Sequence, residues 1–232
     1  MTENKRMEGD YYMQRDIDLR EISDGKLYGS NDMVKADCQD CAGCSDCCRG
    51  MGTSLVLDPL DVHTLCTGLG KTFEELLEHS VELNVCDGVI LPNLKMAGER
   101  EACVYLDDSG RCSIHAIRPG FCRMFPLGRY YEGRSFRYFL QIHECSRPNR
   151  SKIKVKKWLD RPDVAQYEQF VGEWHYFLKD VQELLERAGD DGMARNASMY
   201  ILKNFYLTPF DSREEFYQQF AQRIEKGKTY FF

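Results

Sequence analysis

Residues Cys38 to Cys48 read C-Q-D-C-A-G-C-S-D-C-C, so that four thiols recur at every third position and the last is doubled by a fifth. Cysteines buried only for packing keep no such register. A C-x-x-C turn carries two sulfurs on one side of a tight bend, near enough to share a tetrahedral zinc or to hold two corners of an iron-sulfur cluster. The stretch therefore reads as a metal loop, with Gly43 supplying conformational freedom. Four further thiols, Cys103, Cys112, Cys122 and Cys145, arrive separately, whereas Cys66 and Cys86 keep no ligand spacing and read as small core residues.

Two registers are open. Side chains of adjacent residues diverge on extended backbone, so Cys47 and Cys48 both ligate most easily if they serve two centres or if one is spare. Alternatively, Cys38, Cys41, Cys44 and Cys48 fit the C-x2-C-x2-C-x3-C run of bacterial ferredoxins, although Arg49 stands where that run has proline. The C-x3-C-x2-C spacing of radical enzymes is absent, because Met51 stands where its third thiol belongs. Zinc is favoured by Cys112-x-x-His115 and His143-x-Cys145, which offer mixed sulfur and imidazole ligands. Iron is favoured by the closely repeated thiols and by Arg49, Arg111, Arg123 and Arg147, whose charge balances an anionic cluster unless they are merely solvated. The spacing places iron-sulfur, of the 4Fe-4S type, ahead of zinc. His115 reads as a hydrogen-bonded structural histidine, and His63, His79 and His175 receive no role.

The chain must position these thiols with 232 residues, of which 43% are hydrophobic and 12% aromatic, enough for a sizeable core. No run approaches the ~18 apolar residues of a membrane span, and the N-terminal residues MTENKRMEGD lack the apolar stretch of a secretory signal, so a cytoplasmic location with reduced thiols is expected. A net charge of -6 makes nucleic acid an improbable partner. No catalytic triad, carboxylate pair or phosphate loop stands out, and catalytic residues cannot be named.

Residues 1–37 read as a leader with one strand over Ile17 to Ile22 and a turn at Ser23-Asp24-Gly25. Asp58-Pro59 opens a helix through Cys66 that stops at Gly68 or Gly70, and Thr72 to Glu75 is a capping box for a second helix whose buried face is Phe73, Leu76, Leu77 and Val81. Strands are expected at Val89 to Leu91, Ala102 to Leu106 and Arg111 to Ile114, the last two joined as a hairpin by Asp107 to Gly110. A second hairpin turns at Glu132-Gly133 and ends on Cys145. Arg150 to Lys157 alternates lysines with Ile153 and Val155 as a strand edge with a solvated basic face. From Asp163 a long amphipathic helix carries Tyr167, Phe170, Val171, Trp174, Phe177, Leu178, Val181 and Leu185 as a core stripe, followed by helices from Met193 to Tyr206 and Glu214 to Ile224, the latter with a capping box at Ser212 to Glu215. The expected fold is α+β: a small cysteine-rich metal-binding domain of short strands and helices over 38–150, with a helical region over 151–232 packed on it.

The combination Cys41-x-x-Cys44-x-x-Cys47-Cys48-Arg49, Cys103-Val-Tyr-Leu, Cys112-Ser-Ile-His-Ala-Ile-Arg-Pro-Gly-Phe-Cys122-Arg-Met-Phe-Pro and Cys145 resembles the YkgJ-type CxxCxxCC cysteine-cluster family over about residues 38 to 148. That family is described as zinc- or iron-chelating and is often called an iron-sulfur oxidoreductase. The resemblance implies eight ligands, Cys41, Cys44, Cys47, Cys48, Cys103, Cys112, Cys122 and Cys145, and with them Arg49, Arg118 and Arg123 as cofactor-binding residues. It leaves Cys38 outside the motif. Relatives of the flagellin lysine methylase carry a similar cluster, but this chain has no glycine-rich nucleotide fingerprint, so a methyltransferase-related accessory role ranks last. Two function classes remain: a redox protein passing single electrons to a protein partner, and a zinc-stabilised module for protein interaction.

Overall fold

The structure, a computed structural model, describes residues 18–38, 44–99 and 101–232. Ile17, Cys41 and Gly43 lie outside the described residues. The fold is α+β, with short antiparallel strands between helices.

The expected strand before Ser23 is instead a helical turn, α1 (Leu19–Ile22), because the Asp18 carboxylate accepts from the Arg20 N–H at 2.8 Å and starts a helix there. The strand follows it as β1 (Ser23–Tyr28), running through the segment expected to turn. Its partner is β8 (Ser135–Gln141), which also pairs with β7 (Leu127–Glu132) through the expected turn at Glu132-Gly133. A second pair joins β2 (Met33–Asp37) to β9 (Ser151–Lys154). The basic run is a strand only to Lys154; Val155, Trp158 and Leu159 then enter the core on α5 (Val155–Leu159).

Both capped helices form as their termini dictate. α2 (Pro59–Leu69) begins at a capping box between Asp58 and Asp61 and stops at Gly70, whose φ of 62° suits glycine. The Thr72–Glu75 box opens α3 (Phe73–His79), but Val81 is not on it: Ser80 ends the helix, and Val81 begins β3 (Val81–Cys86), which pairs with β4 (Val89–Leu94).

The hairpin over 102–114 is reduced to a single rung, the bridge between Leu106 and Cys112, closed by the Asp107 N–H to the Arg111 carbonyl and the Ser113 N–H to the Tyr105 carbonyl, both at 2.8 Å. Only β6 (Ala102–Cys103) is a strand, and its partner is β5 (Met96–Ala97). Asp107 accepts from the backbone N–H groups of Ser109 and Arg111, both at 2.9 Å, so the turn closes on its own side chain and leaves one isolated bridge between Leu106 and Cys112. A 3-10 turn (His115–Ile117) and α4 (Gly120–Met124) follow.

The long helix is α6 (Val164–Ala188), ended by Gly189 at φ 60°. Its stripe is buried, and Trp174 meets the rings of Phe177, Phe205, Tyr206 and Phe220. α7 (Asp191–Leu202) passes into a π-helical turn (Lys203–Leu207), and α8 (Phe216–Phe231) completes the layer. The capping box expected at Ser212 to Glu215 is absent, because α8 begins only at Phe216 and Glu215 itself takes the N-cap position without a side-chain cap bond. One core gathers Leu55, Leu57, Leu65 and Leu91 against α6, the π turn and α8; another gathers Val34, Leu127, Tyr138 and Leu159. The cysteine segments run along the first and reach the second.

Candidate metal centre

Four chain segments bring cysteines to a common chamber. The 3-10 turn Asp46–Cys48 lifts Cys48 out of the cysteine loop, with its N–H bonded to the Ser45 carbonyl at 3.0 Å. The loop then docks on β6: Arg49 bridges Ala102, and the Gly50 N–H donates to the Glu101 carbonyl at 3.0 Å, setting Cys48 beside Cys103. Cys112 enters just past the Asp107 turn. Cys122 enters from α4, whose first N–H, on Gly120, donates to Asp61 Oδ1 at 2.7 Å across from α2.

The resulting cavity of ≈ 60 Å³ is lined by Cys48, Cys103, Cys112 and Cys122, backed by the core residues Leu55, Leu94 and Ile114, and edged by Arg111, His115 and Arg118. The backbone N–H groups two residues on, Tyr105 and Ile114, favour the thiolate forms of Cys103 and Cys112. Burial pushes the Cys103 thiol up to about 11 and raises Cys112 and, further still, Cys122. The hydrogen bond from Cys47, ahead of the Arg49 and Arg118 charges, brings Cys48 down to about 7 against the opposing effect of burial. A thiol group held neutral by burial is deprotonated outright when it coordinates a metal cation. The donor set, four thiols among apolar walls with guanidiniums at the rim, fits a thiolate-bound metal or iron-sulfur group.

A second, smaller cavity of ≈ 10 Å³ lies next to it, lined by Cys38, Cys44, Cys47 and Cys145 with Asp46, Glu144 and Arg147. Cys44 and Cys47 also reach the wall of the larger chamber. Cys145 does not end a strand; it lies beyond β8, which stops at Gln141, and its segment is tied to the cysteine loop by the hydrogen bond from the Ser146 hydroxyl to Asp46. Among the described residues, no three His, Cys, Asp or Glu side chains are gathered closely enough to hold an ion as they stand. The thiols line these cavities and do not yet close on a point.

The three arginines occupy different places. Arg118 is on the chamber wall, where its guanidinium contacts His115 Nε2. Arg49 lies next to Cys48, whose thiol its charge lowers, with Nε 3.5 Å from Ser45 Oγ. Arg123 is turned away and buried, donating to the carbonyls of Arg118 (3.2 Å) and Ala116 and to Asp160 (3.2 Å), so that it clamps the turn before Cys122. Sequence reasoning did not anticipate the place of His115 on the chamber wall; its signal was the Cys112-x-x-His115 spacing. Cys38, which the ferredoxin-like register includes and the family motif does not, lines the smaller cavity. Cys86 is buried and Cys66 packs against the core, away from both cavities.

A family model named CxxCxxCC and described as "Putative zinc- or iron-chelating domain" matches residues 40–179, more than half the chain. The match begins after Cys38 and runs into α6. Neither a curated protein nor a solved structure matches the chain.

Proposed function

Because the chain belongs to the CxxCxxCC family of zinc- or iron-chelating domains, we propose that Cys48, Cys103, Cys112 and Cys122 hold an iron-sulfur cluster of the 4Fe-4S type and that the protein is a cytoplasmic redox accessory to a protein partner. The observation that carries this reading is the convergence of thiols from four separate segments on one largely apolar chamber with arginines at its edge. A cluster held there supplies one-electron transfer. The chain's own contribution is to ligate it through thiolates, to exclude water with Leu55, Leu94 and Ile114, and to favour the reduced state through the positive charge of Arg118 and Arg111. Arg49, next to Cys48, gives a partner with an acidic docking face something to find.

His115 on the same wall favours a second reading, a zinc ion with mixed cysteine and histidine ligands serving a protein-interaction module. Anaerobic purification followed by metal analysis and visible spectroscopy separates the two. Iron and acid-labile sulfide with broad sulfur-to-iron charge-transfer absorption are expected. A colourless protein containing only zinc would replace the redox reading with the zinc module.

A further inference from the structure

We propose that the outer edge of β3 is a docking strand for a protein partner, whose extended segment adds along Leu83 to Val85 and sets a basic side chain in the acidic cavity beside them. β3 carries none of the motif cysteines, and this role does not depend on which metal the protein holds.

Asp87 and Gly88 join β3 to β4 with φ of 49° and 80°, the two-residue turn that closes on a hydrogen-bonded pair, here Cys86 and Val89. Alternation gives the other ladder bonds to Asn84 with Leu91 and to Glu82 with Asn93, and it turns the N–H and C=O groups of Leu83 and Val85 away from β4. The far edge of β4 is already occupied: Ile90 donates to Ser198 Oγ at 3.0 Å, Pro92 accepts from Leu57 at 2.8 Å and Leu94 donates to Leu55 at 3.0 Å. Among the described residues, β3 has no strand on its other side. Leu83 and Val85 are 42% and 49% exposed, so apolar side chains accompany the unpaired backbone. Sheet edges are ordinarily blunted by lysine, proline or a bulge, and β3 has none of these in an unbroken register. Such an edge is the template that strand addition uses.

The charge beside it selects the occupant. A cavity of ≈ 320 Å³ lies where the hairpin turn meets the corner between α6 and α7, with Val85 on its wall. Asp87, Glu186, Asp190 and Asp191 line it, and no lysine, arginine or histidine does. Arg187, next to Glu186, is drawn instead to Glu183, 3.9 Å away. A segment carrying lysine or arginine complements this wall. A second copy of the chain does not, because its β3 holds no basic residue and would bring Glu82 and the same carboxylates to the contact.

The probe is a fluorescent peptide of alternating valine and lysine, added to the full-length chain and read by anisotropy. One companion alternates valine and glutamate; another is the valine-lysine peptide methylated on every backbone nitrogen, which keeps the charge and cannot pair with an edge. The valine-lysine peptide should bind and the acidic one should not, while methylation should weaken binding about tenfold or more. Glu186→Gln combined with Asp191→Asn, both exposed positions, should weaken it several-fold. Hydrogen exchange should slow at the Leu83 and Val85 amides and stay unchanged at Asn84, which already bonds to β4. Absence of binding, equal binding of the methylated peptide, indifference to the double substitution, or protection away from Leu83 and Val85 would each overturn the proposal. So would a concentration-dependent dimer in sedimentation that Val85→Lys dissolves, since the edge would then belong to a second copy.

Discussion

Asp61 Oδ1 accepts the Gly120 N–H at 2.7 Å, joining the first turn of α2 to the first residue of α4 across 59 positions of sequence. The same carboxylate closes the α2 capping box with Asp58 and lies 3.7 Å from the Arg161 guanidinium. Through it the rigid helical core fixes where Cys122 enters the chamber. Gly120 permits this approach because a Cβ there would overlap the Tyr167 hydroxyl and come within 3.6 Å of Arg161.

Gly120→Ala should therefore destabilise the chain by about 1–3 kcal/mol, the range for overpacking. The cause is specific, so Tyr167→Phe in the same chain should recover part of the loss, read by a double-mutant cycle of chemical denaturation. Additive losses would show that the hydroxyl is not the obstacle.

Trp174 is 6% exposed and touches four aromatic rings from α6, the π turn and α8. Trp174→Ala should cost about 3–5 kcal/mol, as large aromatic truncations in packed cores do. A loss near zero in urea unfolding would mean that α6 does not dock through this stripe.

His175 is buried, lies flat on Tyr131 with ring centroids 3.5 Å apart, and is held down to about 4 by burial, with Lys179 and Arg129 adding repulsion. In the unfolded chain the ring protonates at its ordinary value, near 6.5, while the folded ring stays neutral to about 4. Stability that is fully present above pH 6.5 should thus fall, by at most about 1.4 kcal/mol per pH unit, as pH drops toward 4. His175→Phe keeps the stacking and should flatten this slope in stability measured from pH 7.5 to 4.5. An unchanged slope would assign the acid sensitivity to other groups.

Thiol substitution should divide the cysteines by place. Cys48→Ser and Cys122→Ser should each empty the chamber, whereas Cys66→Ser and Cys86→Ser should leave the metal content of the protein unchanged, because those two thiols face the apolar core. Metal analysis of the folded variants checks this; loss of metal from Cys86→Ser would place a ligand where the structure places packing.

What the sequence by itself determined was local. The Asp58 and Thr72 caps, the Gly70 and Gly189 stops and the stripe of α6 rest on interactions within a few residues, so spacing alone was sufficient for them. The same holds for family membership, since the matched pattern is itself a cysteine spacing. The Asp107 segment shows the limit: its residues suit a hairpin and one rung forms, but the Asp107 side chain takes the Arg111 N–H that a further rung requires, and competition between two local hydrogen-bond schemes is decided by what packs beside them. Only tertiary structure decided that Cys48 faces Cys103, Cys112 and Cys122, and that Cys44 and Cys47 lie where that chamber meets a smaller cavity with Cys38 and Cys145. A thiol carries no label for its centre in the sequence. Which cavity it meets depends on the docking of the loop on β6, on the Asp61 bond to Gly120 and on the Ser146 tie to Asp46, contacts between segments that are far apart along the chain.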